Sequence, residues 1–384
     1  MFIRLLLPPI IVLMLGGCSS LAYYTQAARG HFDLMSRRVP IDELLTTPEV
    51  APTLKEKLSV ALEARDFASA NLALPDNKSY RTYADLERPF VLWNVFATPE
   101  FSVAAKQWCY WFVGCLSYRG YFSEDKARAV GTQLRANGYD VFVGGVAAYS
   151  TLGRFADPLL NTMVDREVLY IPEIMFHELA HQRVYRAGDS EFSESLASFV
   201  QQEGVLRWLE ARNDTAGMAE YRLAISRERD FVNLLIGARS ALQKLFASEL
   251  EPAAMRAGKA AVFDQLQTDY RILKTAQWGG YTGYDRWFDR KLNNAHLATI
   301  STYHRLIPAF RVVLDDVGGD MEVFFQRCAQ LAKLNDETLR KRLDALLQRA
   351  HHSGDCIRCS STTSVPRRTS PVATPHTNIL PMTS

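Results

Sequence analysis

The sequence predicts an α+β fold, mainly helical, with a small sheet beside a helix that carries His177-Glu178-Leu179-Ala180-His181. Three observations predict it. From about residue 171 to 350, apolar residues recur at helical spacing, with breaks near Asn213, Pro252, Gly279-Gly280 and Gly318-Gly319. Residues 139–146 are the best strand candidate, because Tyr139, Val141 and Val143 alternate before Gly144-Gly145 interrupt the run. A chain of 384 residues with 48% hydrophobic composition can also bury a sizeable core.

The chain opens on Met1-Phe2-Ile3-Arg4, one positive charge, followed by an apolar run from Leu5 to Leu15. Eleven residues are about half of what a membrane-spanning helix needs, so the run reads as an export signal. It ends in Leu15-Gly16-Gly17-Cys18-Ser19-Ser20, which resembles a bacterial lipobox. Residues 1–17 are then a lipoprotein signal peptide, and a lipidated Cys18 becomes the mature N-terminus. Acyl chains there tether a soluble domain to a membrane without a spanning helix. Ser19 after the cysteine resembles the pattern that sends lipoproteins to the outer membrane, facing the periplasm of a Gram-negative cell.

Residues 20–38 read as a tether or a first helix. Residues 40–70 read as an amphipathic helix from Leu54, Leu58, Leu62 and Phe67, and residues 80–122 are aromatic-rich and mixed. Ser123 and Gly138 mark the ends of a helix over 123–137. The folded domain is expected over 18–350. Residues 353–384 are rich in Ser, Thr and Pro without apolar periodicity, so 351–384 read as a disordered tail. Export into an oxidising compartment leaves two readings for Cys109 and Cys115, a local disulfide or two buried thiols. His351-His352 with Cys356 and Cys359 is a weak second metal cluster, since an exported CxxC is more often a disulfide or loose. The net charge of +2, with no basic stripe among aromatics, argues against a nucleic-acid partner.

Residues 172–186 read as one helix, with Pro172 at its start and Gly188 beyond its end. Histidines at i and i+4 project from neighbouring turns of one face, so His177 and His181 can hold one Zn2+ ion, and Glu178 can reach a metal-activated water as general base. A short loop leads into a second helix over 191–204, where three glutamates compete for the third ligand. Glu203 falls on the apolar stripe at the helix end, and Glu191 lies in the first turn, where the helix dipole favours an acid anyway. Glu194 has small neighbours, Ala197 and Ser198, that permit close helix approach, and it is the chosen ligand.

This arrangement resembles the gluzincin metallopeptidases, in which a glutamate on a following helix completes the zinc site. Within that group the chain resembles a family of zinc-dependent bacterial aminopeptidases. The resemblance rests on Trp108-Cys109, the run from Gly114 to Phe122, the run from Ala148 to Gly153 with Asp157-Pro158, the run from Phe176 to His181 with Glu194, Asn293-Asn294-Ala295 and Thr302-Tyr303. It covers roughly residues 23–334 and implies a zincin-like core, a peptide substrate and aminopeptidase action. Only twelve residues separate His181 from Glu194, fewer than in many gluzincins.

An oxyanion donor besides the metal is expected, with Tyr303, His304 and Tyr281 as candidates. The stretch 141–152 is a candidate sheet edge for strand addition by a peptide, or equally a core strand with a bulge. A free substrate amine calls for an acid, and Glu173, Asp157 and Glu191 are available. Two other readings remain: a different zinc amide hydrolase acting on cell-envelope material, and a non-catalytic, lipid-anchored binding protein of zincin fold.

Overall fold

A computed structural model describes residues 23–110, 114–298 and 304–353. The signal peptide, Cys18, Thr302, Tyr303, Cys356, Cys359 and the tail beyond 353 lie outside the described residues.

The described chain opens with a helix over residues 23–36 (α1), strand β1 (Val39–Pro40), and helices α2 (Ile41–Thr46) and α3 (Pro52–Asn71). The single helix expected over 40–70 is therefore two. The chain breaks at residues 47–51, and Pro52 starts α3 where its missing N–H costs nothing. The aromatic-rich segment supplies β2 (Thr82–Ala84), β3 (Leu92–Pro99), β4 (Trp108–Tyr110), β5 (Gly114–Leu116) and β6 (Arg119–Tyr121). Helix α4 (Glu124–Ala136) follows, capped by the Ser123 hydroxyl and ended by Gly138 at φ 80°. Next come β7 (Tyr139–Val146), β8 (Leu159–Leu160) and α5 (Asn161–Val164).

The sheet that matters most has the order β6-β3-β7. β7 runs antiparallel to β3 along its whole length, from Leu92 opposite Val146 to Pro99 opposite Tyr139. Side chains alternate across it as a pleat requires. Trp93, Val95, Ala97 and Val141 pack in one core with α4, while Phe96 and Phe142 face a second core on the other side. β7 is an edge strand among the described residues. Its Gly145 is there for close approach: the Phe90 ring lies where a Cβ would sit, 2.3 Å away.

The rest is helical: α6 (Tyr170–Arg183), α7 (Ser190–Ala211), α8 (Thr215–Phe246), α9 (Pro252–Ala276), α10 (Asp285–Phe288), α11 (Asn294–Ala298), α12 (Ile307–Asp315), α13 (Met321–Ala332) and α14 (Asp336–Ser353). Asn213, Gly279-Gly280 and Gly318-Gly319 fall between helices and adopt positive φ, and Pro252 opens α9. The fold is α+β and mainly helical. His351 and His352 belong to the last turn of α14, not to a tail.

The largest core joins α6, α7, α12 and α13 through Phe176, Phe192, Phe199, Phe310 and Phe324. The second packs Phe231, Tyr270, Trp287 and Phe288 of α8, α9 and α10 against Phe96 and Phe142 of the sheet. β4 and β5 form a separate hairpin in which Cys109 and Cys115 are directly opposite and joined by a disulfide. That settles the two readings in favour of the bond.

Candidate active site

Helix α6 buries Ile171, Met175, Phe176, Leu179 and Ala180 completely, and that burial orients its remaining face. Tyr170, Glu173, Ile174, His177, Glu178 and His181 line a cavity of about 390 Å³. Glu173, His177 and His181 follow at i, i+4 and i+8, one stripe along the helix.

The connection from α6 to α7 is short and well tied. α6 ends at Arg183, three residues before the expected 186, and Val184 is extended. Gly188 turns at φ 83°, and Asp189 caps α7 by accepting from the Phe192 N–H at 3.0 Å. Ser193 exchanges hydrogen bonds with the Arg186 backbone, and the Arg186 guanidinium donates to the carbonyls of Ala332 and Leu334. Twelve intervening residues are therefore enough to fold α7 back on α6. The two helices lie so close at Gly204 that a Cβ there would sit 2.7 Å from the Phe176 ring and 2.8 Å from Leu72.

Close packing brings Glu194 to the histidines. Its Oε2 lies 3.2 Å from His177 Nε2 and 3.5 Å from His181 Nε2. One ligand atom from each of the three residues falls within 4.8 Å of the others. The imidazole rings are 4.9 Å apart and nearly perpendicular. Burial works to raise the pKa of the Glu194 carboxyl, but the imidazoles of His181 and His177 overcome it and hold it well below the usual carboxylate range. His177 Nδ1 meets Gln201 Oε1 at 3.2 Å, so the ring's outer nitrogen is oriented by a residue two turns beyond Glu194 on α7. His181 Nδ1 is buried and has no hydrogen-bond partner among the described residues. Two buried imidazoles and one carboxylate, all aimed at one point, suit a borderline metal such as zinc.

The other two candidate glutamates, Glu191 and Glu203, are placed elsewhere. Glu191 forms a two-pronged ion pair with Arg305 at 2.6 and 3.0 Å. Glu203 is not at a helix end, since α7 continues to Ala211. It is buried between Arg207 at 2.7 Å and Arg311 at 2.6 Å.

Of the expected oxyanion donors, His304 lines the cavity, while Tyr281 packs against Trp278 and Tyr284 under the Arg227 guanidinium, in the second core. Two phenols that sequence reasoning missed stand in the cavity wall. Tyr118 arrives from the turn between β5 and β6, and Tyr185 from the residues after α6, its ring edge-on to His181 at 5.9 Å. Burial raises the Tyr118 pKa, with Glu194, Tyr185 and Glu178 adding to it, and Tyr185 is raised by burial and Glu194. Both hydroxyls stay protonated and can donate. The available signal was position: Tyr118 lies inside the Gly114–Phe122 run, and Tyr185 sits four residues past His181.

Other singled-out residues are structural. Asp157 is fully buried and accepts from the N–H and hydroxyl of Thr151, fixing the loop after β7. Asn294 donates to the carbonyls of Glu100 and Ser102, and Asn293 to that of Val141, stitching α11 to the sheet.

A pair of imidazoles from one helix and a carboxylate from the next, converging in a substrate-sized cavity, define a candidate metal centre. The chain belongs to the family described as "Putative aminopeptidase", whose model matches residues 22–343 and so spans both the sheet and the triad. No curated protein and no solved structure matches the chain.

Proposed function

We propose that the protein is a zinc-dependent aminopeptidase with a zincin-like core. The observation that carries this reading is the convergence of His177, His181 and Glu194 at one point of a cavity that Glu178 also lines. The three residues would hold zinc, which when bound supplies a Lewis acid able to polarise a carbonyl and make water a nucleophile near neutral pH. Glu178 is half-buried beside the triad; its carboxylate takes the proton of the attacking water and delivers it to the leaving amine nitrogen. The hydroxyls of Tyr118 and Tyr185 donate to the carbonyl oxygen as charge develops there. The edge strand β7 ends in the cavity wall at Val146, which suits an extended peptide lying beside it. Family membership supports peptidase action, and the lipobox supports a Cys18 lipid anchor facing the periplasm.

The test compares the parent with Glu178→Gln. Zinc content near one per chain in both, peptide hydrolysis by the parent, and loss of hydrolysis in the variant support the reading. A parent that binds no zinc, or a variant that hydrolyses as fast as the parent, refutes it.

A further inference from the structure

The cavity holds more acid than the metal centre uses. Glu173 stands on α6 one turn before His177, and Glu228 projects from α8 into the same space. The neighbours of Glu173 are the Tyr221 hydroxyl and the Gln201 amide, and Glu228 accepts from Gln202 Nε2 at 3.3 Å. No lysine or arginine pairs with either carboxylate among the described residues. The nearest basic group, His304 Nε2 at 3.4 Å from Glu228, has its pKa pushed down to about 4 by burial and by His177, so it brings no charge. Burial pushes Glu173 up to about 7 and, with the Glu173 charge adding, Glu228 up to about 8. Buried carboxylates without a countercharge are costly, and a cation that enters the cavity relieves that cost.

A separate observation also points to a ligand. Asn94 on β3 is in the same cavity wall, only 7% exposed, and its side-chain oxygen accepts no hydrogen bond among the described residues. Two carboxylates and an amide oxygen are three acceptor groups, and an ammonium group carries three N–H donors.

We infer that Glu173 and Glu228, with Asn94, bind the free ammonium group at the first residue of a peptide whose carbonyl lies at the His177–His181–Glu194 centre. This rests on the proposed peptidase reading and specifies how that site chooses its substrate. It also selects among the acids available in the sequence, since Asp157 is tied to Thr151 and Glu191 to Arg305. Glu173 and His177 are four residues apart, about 6 Å along the helix axis. That spacing suits one residue between ammonium and scissile bond, because a second would add about 3.5 Å.

The experiment uses the zinc-loaded protein and two probe pairs: leucine p-nitroanilide with its N-acetyl form, and L-leucinol with N-acetyl-L-leucinol, which is not hydrolysed. The parent is expected to cleave the free anilide and to bind free leucinol. The Glu173→Gln/Glu228→Gln protein should lose about 10- to 100-fold in leucinol affinity, as expected for lost charge-assisted bonds, and a matching factor in KM, with zinc content unchanged. If the double variant does not fold, the two single variants carry the test. Equal leucinol affinity in parent and variants overturns the inference, as does equal affinity for free and acetylated leucinol. Zinc lost in parallel with leucinol also overturns it, by returning these carboxylates to the metal site. If the parent hydrolyses neither anilide, the peptidase reading fails, and the leucinol comparison still decides whether the carboxylates hold an amine.

Discussion

Replacing Gln201 by Leu removes one acceptor from a histidine without touching a ligand. His177 is 8% exposed, and its Nδ1 has the Gln201 oxygen at 3.2 Å as its partner. With zinc on Nε2, Nδ1 carries the proton, so Gln201→Leu leaves a buried donor unsatisfied. That costs about 1–3 kcal/mol, which corresponds to roughly 5- to 150-fold in affinity. Outer-shell partners of metal histidines elsewhere give a similar range, about 10- to 100-fold. Glu194→Gln removes the proposed charged ligand instead. An even share of the roughly 10–16 kcal/mol available to a four-ligand zinc site is about 3 kcal/mol, so that variant should lose at least as much as Gln201→Leu. Competition with a chromogenic chelator at fixed pH measures both, and thermal melts of the metal-free proteins check that folding is intact. Zinc affinity within twofold of the parent in a folded Gln201→Leu protein would refute the idea that Gln201 orients His177.

Tyr118→Phe should lower kcat by about 10- to 100-fold with KM and zinc content little changed, because a donor to developing charge acts in the transition state; steady-state kinetics against an unblocked anilide decides it. Gly204→Ala should destabilise the fold by about 1–3 kcal/mol, since the new methyl meets Phe176 and Leu72 at 2.7 and 2.8 Å, and a lowered melting temperature reports it. Glu203→Gln should cost about 2 kcal/mol at pH 7, less than a fully buried broken pair because Arg207 and Arg311 are 28% and 42% exposed. Burial works to raise the Glu203 pKa, but Arg311 and Arg207 hold it below its ordinary 4.5. The folded state therefore binds this proton less readily than the unfolded one. The stability gap between parent and variant is full above pH 4.5 and closes as pH falls below it, which denaturant titrations at pH 7 and pH 3.5 would show.

What could be read from the sequence was local. The histidine stripe and the choice of Glu194 follow from helical spacing and from small residues that let α7 approach, and both depend on residues fewer than twenty apart. Glu203 looked terminal because its partners are distant: Arg311 lies 108 positions along the chain. Glu228 gives no local sign of its place in the cavity, since α8 delivers it from the far side of a turn at Asn213. Tyr118 lies between β5 and β6, and nothing in its immediate neighbours encodes that it lines the same cavity as the triad. The split between α2 and α3 was marked by Pro48 and Pro52, but apolar periodicity over 54–67 outweighed it.

The disulfide hairpin has a consequence for how the protein is prepared. Tyr110 and Leu116, on either side of the Cys109–Cys115 bond, belong to the cavity wall, as does Tyr118 two residues on. The triad itself hangs on helices that share no covalent link with that hairpin. Material produced in a reducing cytosol would thus keep the helices that carry the triad while one side of the cavity went unfastened. Standard quality checks would pass such a preparation, and a weak turnover number measured on it would describe the thiol state of the sample rather than the enzyme.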